Sequence, residues 1–312
     1  MDSSRASLDW SEHSRKLCST AGEFSASPAR AQIEEQRASN RSTVPYYASF
    51  ASHRERLTEL AVGRAPGDAR GRLCVLGAGN CFDLDLERLC HAYAEVHLVD
   101  LDEQALAYAV ERQPESVRSR LFAHAPIDLT GMLDRLERWA AMRVTERELI
   151  VHPDETSRAV ERQTAAPFDV VVSACVLTQL HRAPLNTLTD RHRLYFAVRQ
   201  IVTLTHLRTL LRLLTPGGRA LLVTDVCSSE IDPLSGAEPG VDLRALMQQL
   251  LAAGRAIGVA DPVALSAMVR EDPTLGRHGE LSGPLDAWLW QASPERRFLV
   301  YASELVRKTE RG

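Results

Sequence analysis

Gly77, Ala78 and Gly79 follow the apolar run "LCVL" in "LCVLGAGNCFDLDLERLC", with Asp83 and Asp85 close behind. Glycines at a strand-to-helix turn let the backbone bend sharply and approach a ligand closely. An acidic residue such as Asp83 there favours the positive end of the following helix. Asp100 ends the next apolar run, "EVHLVD", where a carboxylate accepts hydrogen bonds from a ribose hydroxyl pair. Asp128 closes a third run, "LFAHAPID", where a carboxylate can accept from an adenine amino group. Three successive run ends thus offer the contacts of a nucleoside. Taken singly, each aspartate is more often a helix cap.

Two phosphate chemistries do not fit. A dinucleotide fingerprint needs Gly or Ala at the third position of GxGxxG, and Phe82 stands there. No GK[ST] follows the turn, so a phosphate P-loop is absent. The ten histidines show no HxxxH or similar spacing, and no metal is expected. Cys81 lies beside the turn with no His or Lys partner visible, so inert packing is the plainer reading.

Further candidates surround this turn in sequence. "YYASFASHR" gathers Tyr46, Tyr47, His53 and Arg54 just before the core. His181, in "VLTQLHR", follows the fourth apolar run and is a general-base candidate, against the plainer reading of a solvent-facing loop histidine. Tyr195 opens a long helical stretch after His192, and Asp225 ends the fifth run.

The elements that must hold these residues alternate in type. Strand candidates are "LCVLG", "EVHLVD", "LFAHAPID", "FDVVVSACV", "RALLVTDV", "AWLWQA" and "FLVYASEL". Between the fourth and fifth, Leu194, Val198, Ile201, Leu204, Leu207, Leu211 and Leu214 step by three or four and predict one buried helix, ended by "TPGGR". The alternation predicts an α/β, doubly wound, mostly parallel seven-stranded sheet with ligand at the carboxyl ends of its strands. The last two runs stand too close for a crossover helix, so they predict a hairpin with an antiparallel last strand. Residues 1–44, rich in Ser, Ala, Arg and Glu, predict a flexible or helical arm. Residues 45–70 predict a helical lid and linker, with Tyr47, Phe50, Leu57 and Leu60 at helical spacing. Residues 71–312 form the main domain, and the polar stretch from 144 to 167 predicts a surface insertion.

Composition narrows the partner. In 312 residues, 45% are apolar and 25% charged, as in soluble globular chains. A formal charge of −4 and a pI near 6.2 give no pull toward nucleic acid or an anionic membrane. There is no CxxC pair among six cysteines, no apolar run of about 18 residues and no secretory leader. Reduced thiols and a cytoplasmic chain are expected.

With these motifs in order, the sequence resembles the class I S-adenosylmethionine (SAM)-dependent methyltransferases over about residues 70–305. "VLGAGN", "VHLVDLD", "PIDLTG", "FDVVVSACVL" and "LLTPGGRALLVTDV" are similar to their successive motifs. The resemblance implies SAM as cofactor and S-adenosylhomocysteine as product. It places Gly77, Ala78 and Gly79 against the methionine part, Asp100 on ribose, Leu101 on adenine and Asp128 with Leu129 at the adenine edge. Ser173 and Ala174 would lie near the sulfonium. Val75 stands where the family often has an acid, so Asn80, Asp83 or Asp85 would contact the amino group. The leading helix would act as a lid, with Tyr46, Tyr47, His53 and Arg54, together with His181, Tyr195 and Asp225, lining the acceptor. His181 and Tyr47 are the catalytic candidates.

The expected activity is methyl transfer to oxygen, nitrogen or carbon of a small molecule. "SACV" replaces the Asn-Pro-Pro-Tyr type of motif found in base-modifying enzymes, which disfavours nucleic acid. A nicotinamide oxidoreductase is disfavoured by Phe82 and the hairpin, and aminopropyl transfer by the lack of an acidic cluster after the fourth strand. The departures at Val75 and Cys81 keep open a methyltransferase-fold binding or regulatory protein without turnover.

Overall fold

The computed structural model describes residues 28–67, 69–188, 191–234, 237 and 240–309. Residues 1–27, more than half of the expected arm, and Cys18 with them, lie outside the described residues. Helix α1 (Pro28–Thr43) leads through a 3-10 turn, Val44–Phe50, into α2 (Ala51–Val62). The expected lid is therefore two elements, and of its spaced apolar residues Phe50, Leu57 and Ala61 are buried.

Five short apolar runs then form the parallel strands β1 (Arg72–Leu76), β2 (Glu95–Val99), β3 (Leu121–His124), β4 (Phe168–Ala174) and β5 (Leu214–Ser228). The crossovers are α3 (Leu86–Ala92), α4 (Glu103–Glu111) with the short α5 (Glu115–Arg118), then α6 (Leu136–Ala140) and α7 (Glu146–Gln163). Between β4 and β5 come α8 (Leu177–Leu180), α9 (Arg182–Thr187) and α10 (Tyr195–Leu213). After β5 follow α11 (Leu243–Ala252), α12 (Pro262–Glu271) and α13 (Pro273–His278), then β6 (Gly279–Leu281), β7 (Asp286–Ser293) and β8 (Arg296–Arg307). Aspartates cap many of these helices, and Asp85 rather than Asp83 takes that role at α3, accepting from Arg88 N at 3.0 Å.

Strand order is β3-β2-β1-β4-β5-β8, with β6 and β7 both beyond β8. β8 pairs antiparallel with β5 and with both outer strands, so those two run parallel to β5. They occupy one position interrupted at 282–285, which turns the expected seven strands into eight. The hairpin of the last two strands is as expected. On one sheet face Leu73, Val75, Leu98 and Val172 pack against Leu57, Leu89 and Leu106 from α2, α3 and α4. On the other, Cys74, Leu76 and Val171 pack against Val160, Leu207, Leu210 and Val269 from α7, α10 and α12. This alternation of faces along each strand is what a doubly covered sheet requires.

The segment read as a surface insertion is corrected here. α7 covers the sheet, and its inner face is mostly polar, with His152, Thr156 and Ser157 buried beside Val160. Arg212 of α10 ties it down through Asp154 at 3.0 Å and Ser157 at 3.2 Å. Val160→Ala is expected to lower unfolding free energy by about 2 kcal/mol in chemical denaturation. Ile150→Ala, at a position 73% exposed on the same helix, is expected to stay within about 0.5 kcal/mol.

Candidate functional site

The carboxyl ends of β1, β2, β4 and β5 meet around the glycine turn. Gly77 and Gly79 take φ of 73° and 47°, in the left-handed region that glycine enters without strain. A Cβ at Gly77 would stand 2.4 Å from Cβ of Val176, which follows β4. Room for the β1–β4 contact therefore exists because residue 77 has no side chain. Gly77 N and Ala78 N both donate to Val99 O, at 2.9 and 3.1 Å, fastening the turn to the end of β2.

Asp100 lies directly beneath. One oxygen accepts from Gly79 N at 2.8 Å and the other from Asp102 N at 2.8 Å. Burial pushes its carboxyl up to about 6. A carboxylate has about four acceptor positions, and the backbone N–H groups of Asp102, Gly79 and Leu101 all act on this one, which leaves room for a hydroxyl donor. Asp102 caps α4 and accepts from Asn40 Nδ2 of α1 at 2.9 Å. Asn80 Nδ2 donates to Asn40 O at 2.7 Å, and a Cβ on Gly79 would meet Asn40 Oδ1 at 3.1 Å. The described end of the expected loose arm is thus a helix docked on the turn.

Beyond the turn, Asp83 faces His53 of α2, Oδ1 to Nε2 at 3.8 Å. His53 is fully buried, stacked on Trp290 with centroids 4.4 Å apart, and its Nδ1 accepts from Trp288 Nε1 at 2.9 Å. Burial pushes its imidazole down to about 3, with help from Arg54, so it is neutral and the pair is no salt bridge. Burial pushes Asp83 up to about 7, against the pull of Arg54. Arg54 donates to Phe82 O at 2.9 Å and lies over the Tyr47 ring at 4.2 Å, while Tyr47 meets Phe82 edge-on at 5.1 Å. Arg112 closes this group from α4, 4.7 Å from the Tyr47 centroid. Tyr46 is exposed on the 3-10 turn.

At the end of β4, Ala174 and Cys175 pack on the same side as Ala78 and Cys81. Burial, then Asp83 and Asp225, raises the Cys175 thiol. Burial, then Asp100 and Asp83, raises that of Cys81. Neither is a ready nucleophile. Asp225 accepts from Thr178 Oγ1 at 2.7 Å, and burial raises its carboxyl.

The remaining expected residues make contacts of their own. Asp128 spends its carboxylate on its own loop, accepting from Thr130 N at 2.8 Å, Thr130 Oγ1 at 2.6 Å and Leu133 N at 3.0 Å. Leu129 packs into the α7 and α10 side of the core, and Leu101 against Met132 and its neighbours. Ser173 points to α10, 2.8 Å from His206 Nε2. His181 is 3% exposed, not a solvent-facing loop residue, with Nε2 at 3.2 Å from Thr203 Oγ1. Burial pushes its imidazole down to about 3. Tyr195 packs on Phe196 at the start of α10. Sequence reasoning missed Asn40, Arg112, Trp288 and Trp290. The two tryptophans alternate in "AWLWQ", a period that marks one strand face.

Strand order with one reversed strand next to the edge, and a glycine turn over an acidic β2 end, define the class I methyltransferase fold. Solved structures resemble it at low identity. A SAM-dependent methyltransferase from Anabaena variabilis gives a TM-score of 0.48 at 11% identity, over 93% of this chain and 99% of that one. An O-methyltransferase of tomaymycin synthesis from Streptomyces achromogenes, solved with SAM, gives 0.42 at 14%, over 96% of each chain. An rRNA methylase from Streptococcus thermophilus gives 0.35 at 12%, over 81% and 94%. No family profile and no curated protein matches the chain. Among the described residues no helix is long and apolar enough to cross a membrane, and no cluster of His, Cys, Asp and Glu has the makings of a metal site.

Two outcomes test this geometry. Asp83 has a folded value near 7 against an ordinary 3.8, so its stabilising contribution is full below about 4 and lost as pH rises through about 7. Asp83→Asn is therefore expected to stabilise the ligand-free protein by about 1–3 kcal/mol at pH 8. The gain should vanish by about pH 4, followed as urea midpoints across the range. Ser173→Ala, which strands His206 Nε2, is expected to cost about 1–3 kcal/mol of stability, read as a lowered urea midpoint.

Proposed function

We propose that this chain is a SAM-dependent methyltransferase acting on a small-molecule acceptor. The observation that carries the reading is the Asp100 carboxylate, buried under the glycine turn at the end of β2 with acceptor capacity left beyond its backbone partners. Asp100 would hold the ribose hydroxyls, Gly77–Gly79 would lie along the thioether, and Asp83 would face the amino group. Of the three residues considered for that last contact, Asn80 is tied to α1 and Asp85 caps α3, which leaves Asp83.

When bound, the cofactor supplies a methyl group already activated by its positive sulfur. The protein's work is then alignment and exclusion of water. Phe50, Phe82, Trp288 and Trp290 form an apolar cover over the turn. Cys175, Asp225 and Thr178 lie at the ends of β4 and β5, where an acceptor would be held. His181, neutral and enclosed between α8 and α10, is poorly placed to take a proton from it. The acidic pI supports a small acceptor over nucleic acid.

Calorimetric titration with S-adenosylhomocysteine is expected to show saturable binding, and titration with NAD none. Asp100→Ala is expected to abolish that binding. At a hundredfold over its dissociation constant the ligand should stabilise the fold by about 2.7 kcal/mol, read as a rise in Tm. Absence of heat and of thermal shift in the unaltered protein refutes the reading. Binding without methyl transfer to any phenol, amine or thiol offered would make the chain a binding module.

A further inference from the structure

His53 and Asp83 present two unmet needs side by side. The Trp288 indole N–H can only donate, so His53 Nδ1, 2.9 Å away, must accept. A neutral imidazole carries one proton, which therefore sits on Nε2. That nitrogen is buried and has no hydrogen-bond partner among the described residues. Asp83 Oδ1, at 3.8 Å, is beyond hydrogen-bond reach. The ring has no freedom to turn, since Trp290 stacks on one face and Trp288 holds its other nitrogen. Asp83 in turn accepts no hydrogen bond among the described residues, and Arg54, the cation that acts on it, gives its Nη1 to Phe82 O. A donor without an acceptor and a carboxyl group without a hydrogen-bonded partner therefore stand together at the end of the glycine turn.

One kind of ligand meets both needs at once: a group with an anionic acceptor and a cationic donor on the same carbon. Resting on the cofactor reading above, we infer that His53 and Asp83 form a clamp for the amino-acid end of the cofactor. Nε2–H of His53 takes the α-carboxylate and Asp83 takes the α-ammonium. Trp288 is the positioning residue, because its indole fixes the tautomer. This explains how the chain manages without an acid at Val75. The anion is moved to the far side of the turn, and a lid-helix imidazole held by β7 completes the site. A neutral donor suits a carboxylate here, because a protonated imidazole would be costly to bury.

The test compares S-adenosylhomocysteine with 5′-methylthioadenosine, which keeps the nucleoside and thioether but lacks the amino-acid end. Calorimetry on the full chain is expected to show the first binding at least about tenfold more tightly. In His53→Phe the affinity for S-adenosylhomocysteine should fall about tenfold, while that for 5′-methylthioadenosine stays within about twofold. His53→Gln, whose side-chain amide places an N–H near Nε2, should restore most of the loss. Trp288→Phe, which frees the tautomer, should lower only the affinity for S-adenosylhomocysteine. Equal weakening of both ligands in His53→Phe, or weakening of neither, overturns the clamp. Failure of His53→Gln to rescue also overturns it, provided that variant melts as the parent does. If the unaltered protein binds neither ligand, the cofactor reading fails and the clamp falls with it. If it binds both equally, the clamp alone fails.

Discussion

The carboxyl end of the sheet depends on one close approach, the glycine turn lying against the end of β2. Val99 O receives two turn N–H groups and Asp100 a third, from Gly79. Each contact needs the left-handed φ at residues 77 and 79, and the near contact with Val176 needs residue 77 to be bare. The same bonds pin Asp100 with its free acceptor positions upward. They also direct the chain after Gly79 so that Phe82 and Asp83 fall under the lid. Strand pairing, the placing of Asp100 and lid docking therefore share one local backbone conformation.

Charge around this turn is poorly matched in the ligand-free protein. Burial raises Asp83, Asp100 and Asp225, while the imidazoles of His53, His181 and His206 are held neutral by the same cause. Three carboxyl groups at the strand ends thus lack full compensation, and Arg54 supplies only part of it. A low-dielectric site with surplus acceptors favours a ligand bearing positive charge and hydroxyl donors. That preference follows from the protein's own electrostatics, independently of any likeness in sequence.

Much of the scaffold was legible because apolar runs of strand length and one long helical stripe declare themselves locally. The glycine turn, Asp100 and the closing hairpin belong to this class. α7 was not legible, since its inner face is built from His152, Thr156 and Ser157, which read as surface until Arg212 and the α10 stripe cover them. Asp128 shows a different limit. A carboxylate at a strand end satisfies either its own loop or a ligand, and sequence cannot tell which N–H groups curl back to it. His181 follows β4 closely in the chain, yet the helix after β4 turns it inward to Thr203. Nearness in sequence carries little information about nearness to a site.

The lid is joined to the last hairpin as well as to the turn. Arg56 of α2 pairs with Asp286, His53 with Trp288, and Phe50 meets Trp290 edge-on at 5.1 Å. These contacts run along β7, so α2 rests on an outer strand as well as on the parallel core, where its Leu57 and Ala61 are buried. The outer position is also where the sheet is interrupted, at 282–285, between β6 and β7. The turn, held by Val99 and Asp100, and the lid, held by β7 and the core, thus meet at Phe82 and Asp83.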